Sequence, residues 1–503
     1  MKTHNVRVHP AIPWLEKEQQ LAWKIADVAT DNVPLDDEAV AMVVNRIIDV
    51  AGVSVAAINR APVLNTRTQA LAHPRTPGAT LIGLPNDIRV ECEWASLANT
   101  AASRELDWHD TAYGADASHP CENISAIIAV AQQCGKSGAD VLRGILTAYE
   151  IHLCLAKGLS YRPYKMDHQA LLGPAIAAGL GTTLGLDTET IFQAVNYAAH
   201  ICLTTRQGRK GIPSSWKAYA PGHFAKLAVE SVDRAMRGET SPSPIYEGDF
   251  SLIATVLGGP DQVYQVPLPE TGEPKRSILE TYTKEYSVSS HGQGIVDLAR
   301  KMGPQIDDLE QIESVVIHFR HESHIITGCG AKDYKLMYDP AAGKRFLDHS
   351  SMYCFAVTLE DGGWNNIANY EPERAQREST VRLWQKISTV EDDEWNKRFD
   401  ERDGLEKDTG SKAVVTFKDG SQLIDEIAVA DAHPRGARPF DRPQYIKKFD
   451  GLIDGLVDTS ERSRYLGLVE QLGALRSQDV VDLNIQIDPS QLHGHQRDTR
   501  GIF

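Results

Sequence analysis

Residues 137–157 read S-G-A-D-V-L-R-G-I-L-T-A-Y-E-I-H-L-C-L-A-K. Val141, Leu142, Ile145, Leu146, Tyr149 and Leu153 recur at helical spacing and make one apolar face. Ser137 is placed to cap the helix predicted over 139–157. The same period extends outward in both directions. Upstream, helices are expected over 15–30, 36–60, 88–103 and 124–133; downstream, over 169–184, 188–202 and 216–237. In 36–60 the stripe is Val40, Val43, Val44, Ile47 and Ile48, with Pro34 and Asp36 as the start signal. No alternating strand is expected before about residue 275, so 1–265 is predicted to be a helical domain.

The pattern changes at 266–277, a stretch rich in Pro, Gly and Glu that reads as a boundary. Beyond it, strands are expected at 282–288 and 312–320 and helices at 291–302 and 350–359. A hairpin of 413–417 and 422–430 is expected around K-D-G-S. Residues 275–432 are therefore predicted to form a small α+β domain. Helical pattern returns from 439 through 475, and 439–503 is expected to pack back on the first domain. The fold class is mainly α: a large helical domain built from both chain ends plus a smaller α+β domain.

At 503 residues the chain is too long for one core, which agrees with two domains. Lys+Arg number 52 against 68 Asp+Glu, a net charge of -16 that repels nucleic acid and anionic membranes. An anionic ligand would need a locally cationic pocket. Seven cysteines are scattered without C-x-x-C spacing; the odd count excludes a complete disulfide framework and suits a reduced cytoplasm. The same spacing speaks against a zinc ribbon or a cysteine-ligated iron–sulfur cluster. The first residues, M-K-T-H-N-V-R-V-H-P, lack the apolar core of a secretory signal. The most membrane-like run, 170–186, is short for a span and is expected to be a buried helix of small residues.

Chemistry concentrates at 104–123, R-E-L-D-W-H-D-T-A-Y-G-A-D-A-S-H-P-C-E-N. Asp107, His109, Asp110, Asp116, His119 and Glu122 crowd this segment just before an apolar helix. The residue types suit proton transfer and equally suit a solvated acidic loop. Asp107 and His119 are the acid/base candidates. Asp107 and Thr111, four apart, would share a helical face, and Thr111 and Asn123 are candidate substrate hydrogen-bond donors. A basic loop follows at 203–223, with Arg206, Arg209, Lys210 and Lys217; Gly208, Gly211 and Pro213 mark the loop. Ser214 or Ser215 would cap the next helix, leaving Lys217 in its first turn, where backbone N–H groups favour anions. His318, His321 and His324, spaced by three along an expected strand, would diverge and make a poor metal site. G-L-G-T-T-L-G at 179–185 lacks the preceding strand and Lys-Ser/Thr ending of a phosphate loop and suits close helix packing.

Three segments together resemble the MmgE/PrpD superfamily. They are L-D-W-H-D-T followed by S-H-P-C-E-N (the family pattern being close to L-D-F-x-D-T and G-H-P-S-D-N), S-S-W-K-A-Y-A-P-G-H, and H-P-R-G at 433–436. The resemblance implies a helical domain from both chain ends around a smaller α+β domain, and a homodimer. It also implies catalysis without an iron–sulfur cluster on a small-molecule tricarboxylate; no cofactor, no metal and no nucleic-acid or membrane partner is expected. By motif it assigns catalytic roles to Asp107, His119, His168 and Lys217. Thr111, Asn123, Arg206, Lys284, His291 and Tyr338 are expected to bind substrate, in a pocket between the domains. Around Lys284 and His291 the family's intervening Pro and acidic residue are absent. The implied reaction is dehydration of 2-methylcitrate to 2-methyl-cis-aconitate, as in the methylcitrate cycle of propionate catabolism. Decarboxylation of cis-aconitate, hydration of citrate or aconitate, or carboxylate binding without turnover are the alternatives.

Overall fold

A computed structural model describes residues 1–209, 214–493 and 501–502. Its contacts separate two compact units, Met1–Thr281 with Asp441–Phe503, and Tyr282–Phe440.

The first unit is helical. Its long elements are Leu21–Thr30, Asp37–Ala56, Cys92–Glu105, Ile124–Cys134, Gly138–Gly158, Leu172–Leu184, Thr188–Ile201 and Trp216–Met236. The capping signals act where the sequence places them. Asp36 accepts from Ala39 N at 3.0 Å, and Ser137 and Asp140 form a reciprocal capping box. Leu172–Leu184 packs against Gly138–Gly158, Thr188–Ile201 and Trp216–Met236. Small residues permit this. A Cβ added at Gly179 would lie 2.7 Å from both the Ala148 Cβ and the Gly144 carbonyl oxygen. The glycine-rich 179–185 run is thus a close helix contact. Buried leucines and isoleucines fill the core, each contributing about 1.5–3 kcal/mol. Among the described residues, Asp37–Ala56 is the one helix long and apolar enough to cross a bilayer. As 78% of its most apolar window is buried in the unit, it reads as a core helix. Helices Arg442–Ile453 and Thr459–Glu470 from the chain's end pack on Asp37–Ala56.

Three features of this unit depart from the periodicity reading. The helix Ala61–Ala70 was not expected; its apolar residues form no stripe. Strands do occur before residue 275. Lys2–Arg7 pairs antiparallel with Val263–Leu268, Pro74–Thr80 with Arg89–Val90, and Asp110–Tyr113 with Ala117–Ser118. These ribbons are short and edge-like, and P-R-T-P-G-A-T carries two prolines and a glycine, so no period-2 signal announces them. Finally, Ser215 sits at the N-cap of Trp216–Met236 without a side-chain cap bond.

The second unit has a four-stranded sheet in the order Gln422–Ile427, Ser411–Phe417, Ile312–Phe319, Ile387–Glu391. The first three run antiparallel and the last is parallel to Ile312–Phe319. Val316 pairs with Val414, and Val414 with Ile424. Gly420, at φ +85°, makes the K-D-G-S turn. Helices Gln293–Met302 and Ser351–Asp361 pack together over a core that includes Val315, Ile317 and Val415. The expected strand at 282–288 shrinks to Tyr282–Thr283, because Ser287 turns its N–H to Asn366 Oδ1 at 2.7 Å. The strand of the histidine run ends at Phe319, and His321–Thr327 is a helix. The divergence argument thus fails for His321 and His324. Their Nδ1 atoms lie 2.9 Å from Glu391 Oε2 and 2.8 Å from Thr389 Oγ1.

Candidate active site

The 104–123 stretch is an interior feature of the first unit. After Cys92–Glu105 the chain reverses at Asp107, whose φ of +53° an Asp tolerates better than most residues. Lys448 then donates to the Trp108 carbonyl at 2.7 Å and pairs with Asp49 at 2.6 Å, tying the segment to the C-terminal helix. The Asp110 carboxylate accepts from Cys121 N at 3.1 Å and from the Tyr149 hydroxyl at 2.8 Å; Arg46 Nε lies 3.6 Å away. Arg46 is itself fixed by the Tyr445 hydroxyl at 2.6 Å and the Thr281 carbonyl at 2.9 Å. Asp107, His109, Asp110, Thr111, Asp116, Glu122 and Asn123 are all buried, so the solvated-loop reading is wrong. Asp107 and Thr111 do not share a helical face either: Asp107 lies in the turn and Thr111 in the strand Asp110–Tyr113. Thr111 donates to the Ser118 carbonyl at 3.4 Å, and Asn123 Nδ2 lies 2.6 Å from the Pro120 carbonyl and 3.0 Å from His152 Nδ1.

Two histidine tautomers follow from their acceptors. His109 Nδ1 and His119 Nδ1 lie 3.1 and 2.8 Å from the Asp110 carbonyl oxygen, which can only accept, so each Nδ1 carries the hydrogen. His109 Nε2 lies 3.1 Å from Arg104 Nη1 and therefore accepts. The His119 ring stands 6.0 Å from that of His168. His168 Nδ1 is 3.1 Å from Asp167 Oδ1, while its buried Nε2 has no hydrogen-bond partner among the described residues. Burial holds His168 well below the usual histidine range.

Around these rings lies an alternation of charge. Asp107 pairs with Arg104 and, at 3.1 Å, with Lys217, which is 32% exposed in the first turn of Trp216–Met236. Arg104 Nε is 3.2 Å from Glu122 Oε1, and Gln169 donates to Glu122 Oε2 at 2.9 Å. Burial pushes Glu122 up to about 7. Asp167 accepts from Arg209 Nε at 2.9 Å; Arg209 and His168 overcome its burial and hold it below the usual carboxylate range. Asp116 pairs with Arg162 at 2.5 Å. Arg206 is set beside them because its backbone N–H donates to the Lys165 carbonyl at 2.8 Å. Burial and Arg162 push Arg206 downward, and its guanidinium makes no ion pair or hydrogen bond among the described residues. Lys210, Gly211 and Pro213 lie outside the described residues. The fold thus brings Asp107, His119, His168, Lys217 and Arg206 into one neighbourhood, with Thr111 and Asn123 in its hydrogen-bonded floor.

Against known families, residues 19–265 match the MmgE/PrpD N-terminal domain and residues 286–473 the MmgE/PrpD C-terminal domain. The chain belongs to the MmgE/PrpD family. Among its relatives, a 2-methylcitrate dehydratase of Salmonella typhimurium is 25% identical over 421 residues, covering 79% of this chain and 83% of the relative. A mitochondrial 2-methylcitrate dehydratase of Yarrowia lipolytica is 26% identical, covering 76% and 72%. A 2-methylcitrate dehydratase-like protein of Aspergillus oryzae is 24% identical, covering 76% and 78%.

Three of the residues the MmgE/PrpD resemblance assigned lie in the second unit. Lys284 is buried, His291 Nδ1 is 3.0 Å from Ser323 Oγ, and the Tyr338 hydroxyl lies 3.4 Å from Cys329 Sγ. Sequence reading gave no role to Arg104, Glu122, Arg162 or Asp167. Arg104 was legible as a cation three residues before Asp107, and Asp167 as the neighbour of His168; the others needed the fold. His109, Asp110 and Cys121 bring possible metal-ligand atoms within 4.8 Å of one another. The His109 Nδ1 and both Asp110 carboxylate oxygens are already engaged by protein groups.

Proposed function

We propose that this protein dehydrates 2-methylcitrate to 2-methyl-cis-aconitate without a cofactor. The reaction removes a proton α to a carboxylate and expels a β-hydroxyl, so charge grows on an already anionic group. The observation that carries the reading is Asp107 between two cations, Arg104 and Lys217, in a neighbourhood that also holds His119. In the proposed roles, Asp107 takes the α-proton and the Lys217 ammonium offsets the charge on the aci-carboxylate. His119, protonated at Nε2, gives that proton to the departing hydroxyl and is left as the Nδ1–H tautomer that the Asp110 carbonyl favours. Protons balance: one leaves carbon, one joins the hydroxyl, and water is released. Arg206, whose guanidinium makes no ion pair among the described residues and feels the field of Asp116 and Asp167, is suited to hold a substrate carboxylate in bidentate fashion, and His168 Nε2 to hydrogen-bond the substrate.

The names of the relatives support this reading. It is tested with purified protein and the methylcitrate isomers, by following the absorbance of the new conjugated double bond. Turnover should persist after prolonged EDTA treatment. Release of carbon dioxide from cis-aconitate, with no dehydration of methylcitrate, would replace this reaction by a decarboxylation.

A further inference from the structure

Glu122 has no part in the steps above, yet it lies buried at the centre of the site. One guanidinium serves two acids. Arg104 puts Nη1 on Asp107 and turns Nε toward Glu122 Oε1 at 3.2 Å. Neither Arg104 Nε nor Glu122 Oε1 completes a hydrogen bond among the described residues, so their interaction is chiefly one of charge. His109 Nε2 lies 3.7 Å from Glu122 Oε1 but already accepts from Arg104, so it holds the guanidinium in place. Gln169 holds Oε2 from the other side, and Arg209 is a second cation whose field reaches Glu122. The chain reads C-E-N here where the family pattern has S-D-N, and the extra methylene extends the carboxyl's reach.

Resting on the dehydratase reading, we propose that Glu122 is a positioning residue: by sharing Arg104 with Asp107, it sets how firmly Asp107 is held as a carboxylate and so how readily Asp107 takes a proton. When Glu122 is ionised, Arg104 is divided between two carboxylates, and Asp107 feels a like charge and is the stronger base. When Glu122 is neutral, Arg104 belongs to Asp107 alone, and Asp107 is the weaker base. Burial raises Glu122 to about 7, so both states are populated near neutrality.

The experiment compares the pH profile of kcat/KM for wild type, Glu122→Gln and Glu122→Asp in the full chain. Glu122→Gln is neutral at every pH, so the inflection that Glu122 ionisation imposes on kcat/KM near neutrality should vanish, and the rate above it should fall to the level that wild type reaches below it. Glu122→Asp keeps a titrating carboxyl and should keep that inflection. An inflection near neutrality that persists in Glu122→Gln, with only a uniform loss of rate, would overturn the proposal. Carboxyl 13C NMR of the labelled protein separates this from failure of the dehydratase reading, because it needs no turnover. In wild type a glutamate lost in Glu122→Gln should titrate near neutrality, and the Asp107 carboxyl resonance should shift over the same pH range, a shift absent from that variant. If Glu122→Gln does not fold, wild type alone decides, Glu122 being identified there by the resonance missing from Glu122→Asp. A Glu122 carboxyl titrating in the ordinary glutamate range refutes the proposal.

Discussion

His109 and His119 donate their Nδ1 hydrogens to one acceptor, the backbone carbonyl of Asp110, and their rings stand 4.7 Å apart. The carbonyl is immobile because the Asp110 side chain is tied to Cys121, Tyr149 and Arg46. Its two imidazoles are nonetheless unequal. Arg104 engages Nε2 of His109, whereas His119 stands beside His168 in a half-buried position. In the proposed dehydration, His119 is therefore the ring suited to exchange a proton with substrate.

His119→Gln should lower kcat by roughly 10²–10⁴, the scale for loss of a general acid or base. Glutamine can still donate toward the Asp110 carbonyl but cannot carry the proton onward. Thermal melting should move little. A variant with near-normal kcat would remove His119 from the chemistry.

Asp107→Asn should lose kcat on the same scale and should also lose stability. Asp107 is buried and paired with Arg104 and Lys217, so the substitution leaves Arg104 short of charge inside the protein. Asparagine adopts positive φ as easily as aspartate, so backbone strain is not the cause of any loss. Differential scanning calorimetry should show a clear fall in Tm. A wild-type Tm would mean that the pair with Arg104 contributes no stability.

Periodicity made the helical unit legible because its stripes are long: Val43, Ile47 and Ile48 are buried as their spacing demands. It failed at Lys2–Arg7 and Pro74–Thr80, whose strands are held by pairing rather than by an alternating apolar face. Motif spacing pointed to Asp107, His119, His168 and Lys217 as a group. It did not reveal that Asp107 is buried and the other three partly so, because charged residues read as surface until their partners are known. The partners come from far along the chain: Arg46 pairs with Asp110, Lys448 reaches Trp108, and Gln169 binds Glu122. No local pattern encodes such contacts.

His152 gives a pH dependence of stability. It is buried, lies 3.0 Å from Asn123 Nδ2 at its Nδ1, and is lowered by burial to about 3. The unfolded chain therefore binds a proton that the folded chain refuses between about pH 6.5 and about 3. Stability from this group is intact above pH 6.5 and declines as pH falls through that window. His152→Gln preserves a side-chain acceptor without a titrating group, so its Tm should fall less steeply with acid than that of wild type. Equal slopes over pH 6.5 to 4 would show that His152 is not held neutral.

Lys217 is a cation with a client already in place. Its Nζ is 3.1 Å from Asp107 Oδ2 and its side chain is 32% exposed, so it can serve Asp107 and an entering anion together. In a protein of net charge -16 the average surface field repels a trianion, and a specific cation is needed to hold it. Lys217→Met should lower kcat/KM by at least about tenfold, or ~1.4 kcal/mol of transition-state stabilisation. Lys217→Arg should restore only part of this, because a planar fork cannot replace a point charge at the same distance from Asp107. Arg206→Ala is the comparison. Its guanidinium has no ion pair among the described residues, so its loss should raise KM more than it lowers kcat, as expected for a carboxylate clamp. The two variants should therefore differ in kind, Lys217→Met acting mainly on kcat and Arg206→Ala mainly on KM. Kinetics at low salt, where exposed charges act most strongly, decide the matter: wild-type kcat/KM in Lys217→Met under those conditions would exclude the ammonium from both binding and catalysis.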